Sequence, residues 1–225
     1  MIITRTPVRI SFAGGGTDLP AYYQKYGGQV VSVAINKYIY SVLTEREDNL
    51  IQVISSDLQR VVEIDHVDLG EKDLVTFGLD IPLAVLKHFK CNSGLNIFVA
   101  SEIPPGTGLG SSGSVCVNIA KLVSYYLSIP MSRYDLAETA FKIAAELLKR
   151  PVGKQDEYTA AFGGLNSIIF EPSGNVVVKS LNIESAGFDA FERSMLLFHT
   201  GHAHNSTDIL SHQKSATEKE DASTI

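Results

Sequence analysis

The chain has 225 residues, of which 44% are hydrophobic and 20% charged, with a formal net charge of −6. This composition is typical of a globular protein with one large or two small domains. The negative charge argues against nucleic-acid binding, and no apolar run approaches the roughly 20 residues that cross a bilayer. The N-terminus lacks the features of a signal peptide, and Cys91 and Cys116 make no disulfide framework, so we expect a reducing cytoplasm.

The first third of the chain is predicted to be mainly strands. Residues 7–13 alternate apolar and polar side chains, which predicts a strand with Val8, Ile10 and Phe12 on its buried face. A glycine-rich turn at 14–18 leads to a short helix at 19–24, which Asp18 is placed to cap. Strand-like runs follow at 29–35, 38–43, 50–54 and 61–64. Turn residues separate these runs, and this spacing favours hairpins.

Helices dominate the middle of the chain. One is predicted at 80–89 with Asp80 as its N-cap, and another opens at Ser132 with a capping-box pattern and ends before Pro151. Strands return at 165–170, 176–180 and 195–198, and the polar residues 214–225 are expected to be disordered. Strands first and helices later predict an α+β fold in two layers.

The segment 101–114 connects a strand predicted at 95–100 to a helical pattern. Glycines at 106, 108 and 110 allow tight bends, and the loop opens onto a helix N-terminus, where free N–H groups favour an anion. The hydroxyls of Ser111, Ser112 and Ser114 could bind phosphate or a metal ion. The segment therefore predicts a phosphate-binding loop.

Three other interpretations of this loop are weaker. A P-loop is excluded because no lysine follows the glycines. Gly108, Gly110 and Gly113 satisfy the dinucleotide fingerprint, but that fold needs an acidic residue about 20 positions on, at the end of a second strand, where this chain starts a helix. A plain turn between strand and helix does not account for three alternating glycines.

Three motifs resemble those of the GHMP small-molecule kinases. The string Pro-x-x-x-Gly-Leu-Gly-Ser-Ser, beginning at Pro104, resembles the family's nucleotide-binding motif. Residues 6–18 resemble its first motif, and residues 153–164 resemble the segment that carries the catalytic aspartate. The motifs stand in the family's order, and the resemblance covers residues 2 to about 212. Within the family, the chain is most similar to the D-glycero-D-manno-heptose 7-phosphate kinases, followed by fucokinase-type enzymes.

The resemblance implies a GHMP kinase-like, ribosomal protein S5 domain 2-like N-terminal domain at 1–190. Residues 191–225 would begin a ferredoxin-like C-terminal domain that ends in a polar tail. We expect this second domain to be incomplete, because no further glycine-rich motif follows residue 164. The apolar face so exposed would favour a homo-oligomer.

The resemblance also implies an activity, the transfer of the γ-phosphate of ATP to the anomeric hydroxyl of a phosphorylated heptose, with Mg²⁺. Asp156 is the expected catalytic carboxylate, which orients or deprotonates the sugar hydroxyl. Arg9 would hold that carboxylate ionised or neutralise the transferred phosphate. The expected ATP-binding residues are Pro104, Gly106, Gly108, Leu109, Gly110, Ser111, Ser112, Gly113 and Ser114. Ser112 is also the expected Mg²⁺ ligand.

The expected sugar-phosphate residues lie in the first and third motifs: Gly14, Gly15, Gly16, Thr17, Asp18 and Lys154. Structural roles stay open for several candidates. Asp18 and Asp156 could each cap a helix, Arg9 could be a surface arginine, and Lys154 could be solvated.

The chain departs from the family at two places. The family has a glutamate facing the site where this chain has Ala144, so we expect weaker Mg²⁺ binding, which Ala144→Glu should tighten. His204 stands where the family commonly has arginine. A strand end followed by a helix cap explains the cluster of His199, His202 and His204 without a zinc site. Another sugar 1-kinase, or a nucleotide-binding protein without turnover, are the alternative functions.

Overall fold

The computed structural model describes residues 1–65, 79–92, 94–198, 201, 215 and 217. The strands are β1 (Ile2–Ala13), β2 (Gly28–Glu45), β3 (Ile51–Ser55), β4 (Arg60–Ile64), β5 (Leu95–Ser101), β6 (Leu165–Phe170) and β7 (Val176–Ser180). The helices are α1 (Pro20–Tyr26), α2 (Asp80–His88), α3 (Ser111–Tyr126), α4 (Arg133–Lys142), α5 (Gln155–Phe162) and α6 (Ser185–Arg193). A π-helical turn, Ile143–Leu147, continues α4.

The strands form one mixed sheet in the order β4-β3-β5-β2-β6-β7, and β1 pairs with β2. The strand β2 is 18 residues long; β1 lies along one edge, while β5 and β6 share the other edge. The predicted strands 29–35 and 38–43 are therefore one strand. The predicted hairpin between 38–43 and 50–54 is wrong, because β3 pairs with β5, to which it runs parallel, and with β4. The β3–β4 hairpin is confirmed.

Helices α2 and α3 pack with the sheet around the larger hydrophobic core. On β1, Val8 is fully buried as predicted, but Ile10 is half-buried and Phe12 is 42% exposed. Register shifts lie between Pro7 and Arg9 and beyond Ser11. Because each shift changes which side chains face the core, strict alternation fails along this strand.

The predicted helix starts are partly correct. The capping box at Ser132 and Asp135 is present, with both reciprocal hydrogen bonds formed. The predicted N-cap at Asp80 is wrong: Leu79 precedes the helix, and Asp80 lies in its first turn, where it forms an ion pair with Arg150 at 2.5 Å. Asp18 does not cap α1, since its carboxylate is bound elsewhere.

The C-terminal part differs most from the prediction. Residues 195–198 form no strand, and the unpredicted helix α6 precedes them. The boundary at 190/191 falls within α6 and stays a prediction. His199, His202, His204 and most of the polar tail lie outside the described residues. The α+β class is confirmed, and in the part of the chain that the structure describes no helix could span a membrane.

Candidate active site

Arg9 connects three parts of the chain that are far apart in sequence. Its backbone N–H donates to the Leu109 carbonyl at 3.0 Å, and its guanidinium donates to the Gly108 carbonyl at 2.6 Å. Two nitrogens of the same guanidinium contact Asp156 Oδ1: Nη2 lies at 2.6 Å and Nε at 2.8 Å. The Arg9 side chain is 12% exposed and that of Asp156 is 28% exposed. Arg9 thus fixes the catalytic candidate Asp156 beside the glycine loop, and it is not a free surface arginine.

The glycine loop is an open turn before a long helix. Gly106, Gly108 and Gly110 have φ angles of +75°, +73° and +72°, a region that strongly favours glycine. Helix α3 begins at Ser111, and no side chain caps its N-terminus. Its first N–H groups therefore point toward a cleft of about 380 Å³ that the loop lines. This end of α3 can bind an anion such as a polyphosphate.

Two glycines let helix α5 approach the loop closely. A Cβ at Gly110 would lie 3.1 Å from Cγ atoms of both Arg9 and Asp156, and one at Gly113 would lie 2.7 Å from Asp156 Cβ. Any larger residue would push α5 away from α3. The N-termini of two helices therefore meet at Asp156, which occupies the first turn of α5.

Several residues of the predicted ATP-binding set have structural roles. Ser114 is fully buried, and its hydroxyl donates to the Pro7 carbonyl at 2.9 Å. Leu109 packs against the core. Pro104 does not line the cleft, whereas Gly106, Gly108, Gly110 and residues 111–113 do. The loop glycines and the first turn of α3 are therefore the part that faces a ligand.

Asp18 joins the glycine-rich turn at 14–18 to the start of α5. Its Oδ1 accepts from the Gly16 N–H at 3.1 Å, and its Oδ2 accepts from the Gln155 N–H at 3.0 Å. Burial raises the pKa of this carboxyl, while the hydrogen bond from Gln155 opposes the shift. Asp18 lines the cleft although it is only 2% exposed. It positions α5, which sequence reasoning had not anticipated.

The rest of the turn at 14–18 packs against β2. The Thr17 hydroxyl donates to the carbonyls of Gly14 and Gln29 and accepts the Gln29 N–H, so it does not face the cleft. A Cβ at Gly14 would overlap the Gln29 carbonyl, whereas one at Gly15 would meet only atoms 3.9 Å away or more. Gly15 is the position of this turn with room for a ligand.

Lys154 is not at the cleft. Its side chain is buried, with Nζ 2.7 Å from Glu138 Oε1 and above the rings of Tyr23 and Phe141. The structure also places Arg5 over the Tyr38 ring, away from the cleft. Neither side chain is therefore placed to bind a ligand in the cleft.

Sequence reasoning missed two polar residues that flank Asp156. In the described part of the chain, four buried side-chain atoms lack a hydrogen-bond partner, and two of them, Gln155 Oε1 and Glu157 Oε2, belong to cleft-lining residues. A third, Thr107 Oγ1, belongs to the glycine loop. Buried polar atoms rarely lack partners, so such a concentration marks a ligand site. The signal in the sequence was their position next to Asp156.

The residues at the cleft fit Mg²⁺ bound through phosphates. Mg²⁺ takes one or two protein oxygens and completes its shell with phosphates and waters. Ser112 and Glu157 line the cleft, and Glu157 has an orphaned oxygen. Ala144 lines the cleft as expected and Glu146 does not. Among the described residues there is no group of three or more metal-ligating side chains, which such a site does not require.

Comparison with known proteins gives the family. Residues 80–164 match the GHMP kinases N terminal domain. The chain is 33% identical over 215 residues to a D-glycero-alpha-D-manno-heptose 7-phosphate kinase from Campylobacter jejuni, covering 95% of this chain and 63% of that protein. It is 24% identical over 174 residues to a galactokinase from Streptococcus mutans, covering 73% of this chain and 42% of that enzyme.

The fold has a solved counterpart. A D-glycero-D-manno-heptose 1-phosphate kinase from Bacteroides thetaiotaomicron superposes with a TM-score of 0.75 at 23% identity, covering 100% of this chain and 75% of that one. The chain spans 63% of the length of the Campylobacter jejuni kinase and 42% of the length of the galactokinase, which is less than two thirds of each. The residues that line the cleft, apart from Arg9 and Asp18, lie within the matched residues 80–164. The chain belongs to the GHMP kinase family through its N-terminal domain.

Proposed function

We propose that this protein transfers the γ-phosphate of ATP to the anomeric hydroxyl of a phosphorylated heptose, D-glycero-D-manno-heptose 7-phosphate. The observation that carries the proposal is the Arg9–Asp156 pair at the mouth of the glycine loop. The pair puts a carboxylate and a cation beside a polyphosphate cradle, the arrangement that phosphoryl transfer to a hydroxyl needs. The heptose kinase from Campylobacter jejuni supports the choice of substrate.

The chemistry follows from the two partners of Arg9. Asp156 accepts a hydrogen bond from the attacking hydroxyl, aims its oxygen and takes its proton during transfer. Arg9 holds this carboxylate in place through a charge-assisted contact and faces the transferred phosphoryl group with positive charge. The N-terminus of α3 adds N–H donors to the phosphates. Each of these groups is held in place before the substrates bind, which lowers the cost of reaching the transition state.

Mg²⁺, when bound with ATP, would supply positive charge that offsets part of the charge of the phosphates. Ser112 is the hydroxyl that we assign to it. The glycine loop orients ATP through backbone groups, since it offers no cationic side chain between Gly106 and Gly110.

We assign the sugar phosphate to a second groove, which shares Arg9 and Gln155 with the cleft and is also lined by Gly15 and Lys37. Gly15 leaves room for the sugar, and the unpartnered Gln155 amide oxygen can accept from its hydroxyls. Among the described residues, Lys37 is the cation of this groove that Asp156 does not already hold, so we assign the substrate phosphate to it. This replaces the expected role of Lys154.

The remaining expectations belong to the same proposal. Residues 1–190 would form the ATP-binding and catalytic domain, and residues 191–225 the start of the second domain. A kinase that uses ATP with two buried cysteines fits the cytoplasm. The apolar residues Leu196, Leu197 and Phe198, which are 63–81% exposed, would favour a homo-oligomer or a further domain covering them.

The test is ATP turnover with Mg²⁺ on a panel of sugars and sugar phosphates. We expect turnover on the heptose 7-phosphate, reduced about 10²–10⁴-fold in Asp156→Ala, the range for loss of a general base. Asp189→Ala, on the exposed face of α6, is the control and should keep wild-type turnover. Faster turnover on another sugar would favour a different sugar 1-kinase. ATP binding without turnover on any sugar would favour the non-catalytic alternative.

A further inference from the structure

The residue after Asp156 has a side chain without an evident structural purpose. Glu157 is 3% exposed, lines the same cleft as Ser112 and Ala144, and its Oε2 atom has no hydrogen-bond partner. A buried carboxyl with an unpartnered oxygen destabilises the fold, so its presence calls for a compensating ligand.

The cations of the protein near Glu157 are already engaged. Arg9 is held by Asp156 and by the Gly108 carbonyl, and Arg150 is paired with Asp80. A neutral Glu157 would carry a hydroxyl donor, yet Oε2 has no acceptor either. The fold alone therefore leaves this oxygen unsatisfied in both protonation states.

The surroundings of Glu157 match the needs of a small divalent cation. The cleft offers the Ser112 hydroxyl at the start of α3, and ATP phosphates would lie at the same helix N-terminus. One carboxylate, one hydroxyl and phosphate oxygens form a set that Mg²⁺ accepts. Ala144 lines the same cleft and offers no oxygen from its side chain.

We propose that Glu157 supplies the carboxylate ligand of the divalent cation that accompanies ATP, acting together with Ser112. The proposal rests on the proposed kinase function and adds a residue to its cation site. It also changes an expectation from the sequence: the absence of a carboxylate at 144 does not weaken cation binding when Glu157 provides one from α5.

The experiment measures Mn²⁺ binding by electron paramagnetic resonance, using the full chain with a non-hydrolysable ATP analogue. Glu157→Gln keeps the shape of the side chain and removes its charge. We expect it to weaken Mn²⁺ binding about tenfold or more, since loss of even an outer-sphere partner of a metal ligand costs about 10–100-fold. In Glu157→Gln/Ala144→Glu a carboxylate returns to the cleft from position 144, and the affinity should recover. Glu146→Gln, outside the cleft, is the matched control and should bind as the wild type does.

Binding of the analogue without divalent cation, measured in chelator by calorimetry, separates the two proposals. If the wild type binds no analogue under either condition, the kinase proposal fails, and the cation site fails with it. If the analogue binds and Glu157→Gln holds Mn²⁺ as tightly as the wild type, the Glu157 assignment alone is overturned.

A measurement on the wild type guards against a folding defect in the variants. Fe²⁺ bound at the cation site with the analogue, in the presence of ascorbate and peroxide, cleaves the backbone next to its ligands. Fragments ending near both 112 and 157 would support the assignment. Cleavage near 112 without cleavage near 157 would overturn it.

Discussion

Two glycine-rich segments flank the Arg9–Asp156 pair, and glycine serves a different purpose in each. In the turn at 14–18, a Cβ at Gly14 would overlap the Gln29 carbonyl, so the glycine allows two backbones to touch. In the loop from Gly106 to Gly110, a Cβ at Gly108 would meet nothing within 4 Å. At Gly14 the first segment is packed, and its Asp18 contacts the start of α5, whereas at Gly108 the second segment borders open space. Similar composition therefore conceals two different environments for glycine.

The packed turn offers the largest predicted effect. Gly14→Ala introduces a backbone overlap at a φ of +80°, so we expect a loss of about 3 kcal/mol or more in the free energy of unfolding. Denaturant unfolding measures it. Gly15→Ala is the control, since its Cβ would have room, and it should cost under about 1 kcal/mol. Equal losses in the two variants would contradict the packing role of Gly14.

A substitution in the open loop should affect ATP affinity more than stability. Gly108→Ala meets no steric overlap, so its cost in stability should stay near the roughly 1–2 kcal/mol of placing alanine in the left-handed region. Its effect on ATP affinity should be larger than that of Gly15→Ala, because the methyl group occupies space that the phosphates need. Calorimetric titration with an ATP analogue measures this. Unchanged affinity would show that the loop does not contact the nucleotide.

The smallest predicted effect concerns pH and Asp18. Its folded-state pKa is raised by burial, so its contribution to stability is complete below the unfolded value near 3.8 and is lost as the pH rises through the folded value. The wild type should therefore lose stability relative to Asp18→Asn as the pH rises from about 4, by at most about 1.4 kcal/mol per pH unit. Unfolding curves at stepped pH measure the difference. A constant difference across that range would refute the pKa shift.

The local signals in the sequence were read correctly where local chemistry decides the structure. The capping box at Ser132, the β3–β4 hairpin and the strand–loop–helix unit around residue 106 depend on neighbours in the chain, and they are present. The failures involve distant partners. Asp18 precedes α1 and is a residue type that often caps helices, but its carboxylate accepts a hydrogen bond from the N–H of Gln155, 137 positions away. Asp80 likewise forms an ion pair with the distant Arg150 and does not cap its helix.

The same distinction applies to the site. The glycine pattern and the aspartate motif indicated which segments matter, and the structure brings Arg9, Asp156 and the loop together. Which side chains of those segments face the cleft could not be predicted, since burial decides it. Lys154 turns inward to Glu138, whereas Gln155 and Glu157 line the cleft.

The long strand β2 has a consequence for how the protein folds. Its second edge is completed by β5 at one end and by β6 at the other, and β6 ends only at Phe170. A growing chain therefore holds an unsatisfied edge of β2 until most of it has been synthesised, and closing that edge requires pairing across more than a hundred positions. Such non-local pairing slows folding. We expect refolding to be limited by the docking of β6 onto β2, with the site assembled in the same late event, because α5 immediately precedes β6.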